Sequence, residues 1–185
     1  MPDKDARSRE DEYFWKKDQE LLEKIRRTAA AEQAKRDMGA TAGLNDPEMI
    51  QELQTLGFTT DTVVLLPFIP LVQIAWAEGG VSDAERQLIV KLARSRGIVE
   101  GSAADHQLST WLASRPDAQV FTQATRLIRA MLASPAPTGL TAEDLVTYCE
   151  SIAAASGGVF GMKRISAEER AVISKIASEL KARDA

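Results

Sequence analysis

Five carboxylates are the residues of this chain best spaced for chemistry. Glu78, Asp83 and Glu85 surround a Gly79-Gly80 turn, and Glu168 and Glu169 hold the matching place near the C-terminus. Hard oxygen donors of this kind suit Ca²⁺, Mg²⁺ or Mn²⁺ over softer ions. The same residues have a second use. Ser82-Asp83-Ala84-Glu85 and Ser166-Ala167-Glu168-Glu169 both read as capping boxes, in which the serine hydroxyl takes a backbone N–H and the glutamate reaches back to the serine N–H. Ion ligation and helix capping both stand open on the residues alone. An EF-hand loop is excluded, because residues 79–85 lack acids at alternate positions before a glycine.

Other chemistry has little footing. His106 is the one histidine and Cys149 the one cysteine, which rules out by count a zinc site of Cys and His ligands. The chain contains no His-Glu-x-x-His, no Gly-x-Ser-x-Gly and no Walker-type loop, so no catalytic residue is assigned and a non-enzyme is expected. Cys149 reads as a small apolar core residue and His106 as a surface polar one. Gly157, Gly158 and Gly161 follow no strand and lack dinucleotide-loop spacing, so they read as turn formers.

The elements that must position the acids are helices. Residues 62–77 carry no charge and a single Gln73, then stop at Glu78-Gly79-Gly80. Sixteen uncharged residues fall short of the roughly 20 that a membrane-spanning helix needs, and Pro67 and Pro70 each remove a backbone donor. The run is therefore expected to be a buried central helix, capped by Asp61 or Thr60 and kinked or split where the proline rings meet the carbonyls of Val63 and Leu66. After the turn, Leu88, Ile89 and Leu92 stripe a half-buried helix that ends at Gly97.

Further capped 3.6-period segments complete the chain, and no period-two strand occurs. A short helix over residues 48–56 opens at Asp46-Pro47 and closes at Gly57; others start at Ser102, after Pro116, at Thr141 and at Ser166. The expected fold is an all-α bundle of about seven helices. Its core is expected to include Leu66, Val72, Ile74, Leu88, Ile89, Leu92, Leu127, Ile152, Ile173 and Ile176.

Residues 1–37 differ in kind. They hold ten acidic and ten basic side chains, so they carry no net charge and cannot build a core. Glu12/Lys16, Glu20/Lys24 and Glu23/Arg27 stand at i,i+4 in the favourable acid-first order, and Phe14, Leu21, Leu22 and Ile25 make a narrow apolar stripe. A long charged helix is expected, stopping at Gly39 and Gly43, with residues 1–44 as helix and linker and 45–185 as the compact domain. Tyr13-Phe14-Trp15 are the candidate partner-binding residues. The stripe can lie on the bundle itself, in a partner's groove or along a homo-oligomer seam.

The chain repeats itself. Ile74, Ala75, Ala77, Gly79 and Gly80 correspond to Ile152, Ala153, Ala155, Gly157 and Gly158, and Ser82, Glu85, Arg86, Ile89, Lys91 and Ala93 to Ser166, Glu169, Arg170, Ile173, Lys175 and Ala177. The second turn is longer by residues 159–164, whose Phe160 and Met162 read as a lid over the core. The acidic turn 77–85 after an apolar helix, with its paired turn near Gly157, resembles the helix-turn-helix signature of the tellurite-resistance TerB-like family over about residues 46–182. The resemblance implies an all-helical bundle, divalent-metal binding by acidic turn residues, and a role in stress response or chaperone-linked complexes near membranes. The residues that carry over are Glu78, Glu85 and Glu169. The family's aspartate is replaced by Glu78 in the first turn and by Ser156 in the second.

The formal charge of −4 argues against a phosphate-neutralising surface, so nucleic acid is not an expected partner. A lone cysteine and the lack of a cationic, apolar leader after Met1 point to reducing cytoplasm. Two functions are expected. One is a TerB-like sensor or scaffold with a divalent cation; the other is a purely protein-binding module, such as a chaperone-adaptor or assembly subunit, with no metal.

Overall fold

The computed structural model describes residues 4–134, 139–156 and 165–181. These divide into two compact units, with the boundary between Asp37 and Met38. Among the described residues there are eight α-helices, one 3₁₀ helix and no strand, so the fold is an all-α bundle.

The long helix α1 spans Lys4–Ala42. Within the first unit its surface is laced by ion pairs, Lys16 with Glu12 at 3.2 Å and Arg27 with Glu23, while Glu20 turns to Lys17 at 3.4 Å instead of Lys24. All are exposed, so each adds only a few tenths of a kcal/mol to the helix.

The second unit starts within α1. Met38, Ala42 and Leu44 are buried members of its core, so the compact domain begins at Met38 and not at Asn45. Gly39 does not stop the helix. A Cβ there would come within 2.7 Å of the Leu44 carbonyl oxygen and of Ile50 Cδ1, so glycine is what permits the close approach, and the stop is Gly43 at φ +68°. Helix α2 (Pro47–Thr55) follows, capped by the Asp46 carboxylate accepting from the Glu48 N–H at 2.8 Å.

The central apolar run breaks in two at its prolines. Residues Val63–Phe68 wind as a 3₁₀ helix containing Pro67, and α3 (Ile69–Ala75) restarts with Pro70 in its first turn, where a missing N–H costs nothing. Neither Asp61 nor Thr60 caps this element. The preceding turn is closed by Thr59 and Thr62, the Thr62 hydroxyl accepting from the Thr59 N–H at 2.8 Å. Every residue of α3 except Gln73 is buried, and α3 packs against α4 (Asp83–Ser95), α6 (Ala118–Ala133), α7 (Ala142–Ser156) and α8 (Ala167–Lys181). A short helix with Gln73 as its one polar side chain is stable only in such a place.

The internal repeat packs on itself. Its two units are α3–α4 and α7–α8, and their first helices lie side by side, with Ile74, Ala75, Ile152 and Ala153 all buried. Leu66, Val72, Ile89, Leu127, Ile173 and Ile176 are buried as expected, whereas Leu88 and Leu92 are only half-buried at the edge of the core. The α4 stripe is centred on Glu85, Ile89 and Ala93, one position round the helix from the expected line.

Candidate functional site

The two capping boxes form as their spacing requires. At the first, the Ser82 N–H and hydroxyl both donate to Glu85 Oε2, at 2.8 and 2.7 Å, and the Glu85 N–H donates back to Ser82 Oγ at 3.3 Å. At the second, the Ser166 N–H donates to Glu169 Oε2 at 2.7 Å and the Glu169 N–H to Ser166 Oγ at 3.1 Å. Glu85 is 2% exposed and Glu169 1%. The five acids therefore separate into two classes: Glu85 and Glu169 are buried caps, while Glu78, Asp83 and Glu168 stand exposed. Replacing Ser82 or Ser166 by Ala is expected to lower stability by about 0.5–2 kcal/mol each, read from urea unfolding midpoints, since each change frees a backbone donor and unseats a buried carboxylate.

Burial is the main influence on Glu85 and pushes its pKa up; the Ser82 hydrogen bonds oppose this, and the negative charges of Glu169 and Glu78 add to it. Because the folded pKa lies above the unfolded value of 4.5, the stability linked to Glu85 is full below that pH and falls as pH rises through the folded pKa. Glu85→Gln cannot ionise. The variant is expected to gain on the wild type between pH 4 and pH 7, and unfolding curves at the two pH values check this; an unchanged difference would mean that Glu85 does not titrate differently on folding.

Around the first turn, two side chains reach the C-terminal carbonyls of α5 (Ala103–Ala113). Trp76 Nε1 donates to the Trp111 carbonyl at 2.8 Å and Arg86 Nη2 to the Leu112 carbonyl at 2.7 Å, satisfying groups that a helix end leaves unpaired. Asp105 locks the other end of α5: it accepts from the Gly101 N–H at 2.8 Å and from Arg94 at 2.7 Å, and these partners hold its carboxyl below the usual carboxylate range. The glycine turn itself needs positive φ, which Gly79 adopts at +87°.

The negative charges of Glu78 and Glu169 both act on Glu85. Among the described residues, however, no three His, Cys, Asp or Glu side chains converge closely enough to hold a metal ion. The second turn at Gly157-Gly158, and Phe160 and Met162 of the expected lid, lie outside the described residues. Cys149 is fully buried, and burial pushes its thiol up to about 12, which keeps it protonated and unreactive. His106 is exposed on α5. On α1, Tyr13, Phe14 and Trp15 are 58, 57 and 63% exposed.

Sequence reasoning missed one further feature, a cavity beside Arg96 and Tyr148. Arg96 Nη2 donates to the Tyr148 hydroxyl at 3.1 Å, with the guanidinium 5.8 Å from the ring centre. The two residues are 52 positions apart and belong to no motif, so no sequence signal pointed to them. Among the described residues no helix is long and apolar enough to cross a membrane. Comparison with protein-family models, with curated proteins and with solved structures found no match to this chain.

Proposed function

We propose that the protein is a non-enzymatic helical scaffold of TerB-like type, acting in a stress-response complex in the cytoplasm and binding a protein partner through the apolar stripe of α1. The observation that carries this reading is the exposure of Tyr13, Phe14, Trp15, Leu21, Leu22 and Ile25 on one helix. Positions 14, 21 and 25, with 15 and 22 beside them, follow the spacing by which an amphipathic helix enters an apolar groove. Aromatic anchors of this kind carry about 2 kcal/mol or more each when a partner covers them, roughly a thirtyfold loss of affinity on truncation. Affinity capture with the full chain and with a Phe14→Ser, Trp15→Ser double variant tests it, alongside light scattering for self-association. A partner, or a second copy, held equally by both proteins would overturn the stripe as the binding surface.

A divalent cation at the acidic turns is the second reading, supported by the negative charge that Glu78 and Glu169 add around Glu85. Ca²⁺, Mg²⁺ or Mn²⁺ at a hundred times its dissociation constant should raise stability by about 2.7 kcal/mol. Glu78→Gln combined with Glu85→Gln should remove that gain. Melting curves that superimpose in millimolar cation and in chelator would retire the cation and leave the protein-binding module.

A further inference from the structure

In the second unit, the last turn of α1, the 3₁₀ helix, the C-terminal end of α4 and the N-terminal half of α7 border a solvent-open cavity of about 210 Å³. Its floor is apolar: Val63, Phe68, Leu71, Met131 and Leu145 are buried side chains, and the half-buried Leu92 borders them, while Thr41 at the end of α1 adds a hydroxyl-bearing side chain to the lining. Its polar wall is different. Arg96, exposed to solvent, also lines the cavity, with one guanidinium N–H given to the Tyr148 hydroxyl. Among the described residues no carboxylate forms an ion pair with Arg96; Asp144 feels its charge, but Asp144 Oδ2 is held by the Thr141 N–H and hydroxyl, both at 2.9 Å. Arginine carries five N–H donors, and its planar fork matches a carboxylate.

Even an enclosed apolar void of about 150 Å³ takes up benzene; the pocket here is open to solvent beside the exposed Val64 and Arg96, so its apolar floor can be reached from outside. The cavity here exceeds that size, and by proportion it accommodates roughly eight carbon atoms. A solvent-open pocket with an apolar floor, a single cation and a phenol suits a molecule that is apolar at one end and anionic at the other. We propose that this cavity binds a free medium-chain aliphatic monocarboxylate, its tail among Leu71, Leu92 and Leu145 and its carboxylate paired with Arg96 and Tyr148. The site is separate from the α1 stripe and from the acidic turns, so it stands or falls independently of the function proposed above.

Calorimetric titration of the full chain with sodium octanoate, 1-octanol and octylammonium, each below its micelle concentration, tests the assignment. Octanoate should bind saturably at one equivalent, and octanol, which keeps the tail and loses the charge, at least tenfold more weakly, since hydrogen bonds to charged groups are the stronger ones. Octylammonium should not bind. Arg96→Gln changes a surface side chain and should leave the melting curve intact while bringing octanoate down to the octanol level. Leu92→Phe should narrow the chamber and weaken octanoate and octanol alike. Equal affinity for octanoate and octanol, octanoate binding unchanged by Arg96→Gln, or no saturable octanoate binding at millimolar concentration would each overturn the proposal.

Discussion

Ile74→Ala is expected to destabilise the second unit by about 2–5 kcal/mol, a large share of the roughly 5–15 kcal/mol available to a domain. Ile74 is 1% exposed on α3, the helix that touches four others and the 3₁₀ segment. Truncation there removes three buried carbons and leaves a void among helices that cannot all close in on it, so the transfer and cavity terms add. Leu92→Ala provides the contrast. Leu92 is half-buried and already borders open space, so its truncation is expected to cost clearly less than that of Ile74. Urea unfolding of both variants, with unchanged slopes, measures the difference. An Ile74→Ala cost below about 1 kcal/mol would remove α3 from the centre of the core.

The second large effect concerns where the domain starts. A chain beginning at Met38 is expected to melt cooperatively, because residues 1–37 form a separate unit and the core members Met38, Ala42 and Leu44 are retained. A chain beginning at Asn45 loses all three. Truncating a single buried Met or Leu costs about 2–5 kcal/mol, so losing both with Ala42 is expected to take most of the stability of the domain. Differential scanning calorimetry of the two truncations discriminates: a sharp transition for the longer chain and a broad or absent one for the shorter. Similar, sharp transitions for both would show that the last turn of α1 adds little to the core.

These two expectations bear on what could be read directly from the residues. Capped 3.6-period segments give an all-α fold, because hydrophobic spacing and serine or aspartate caps act within a few residues of each other. Thus Ser82/Glu85 and Ser166/Glu169 close as their spacing implies. The charged N-terminal stretch differs in kind by composition alone, since equal numbers of acids and bases with a narrow stripe cannot make a core. Boundaries were less so. Gly39 reads as a stop by type, yet its lack of a side chain serves the approach of residues 44 and 50, a contact that local sequence does not encode.

The sequence by itself determined the helical class, the caps at Asp46, Ser82, Ser102, Thr141 and Ser166 and the repeat, all of which follow from short-range chemistry, though not a cap at Asp61 or Thr60. Only the tertiary structure decided what those elements do to one another. It buried Glu85 and Glu169 as caps and left Glu78, Asp83 and Glu168 outside, because Glu85 shares its helix face with the buried Ile89 and Ala93, and Glu169 with Ile173 and Ile176. It turned the α4 stripe one position, from Leu88 and Leu92 toward Glu85, Ile89 and Ala93. It also placed Arg96 against Tyr148 over an apolar chamber. A side chain's burial and its distant neighbours depend on how whole helices cross, and that crossing is fixed by the summed packing of the core.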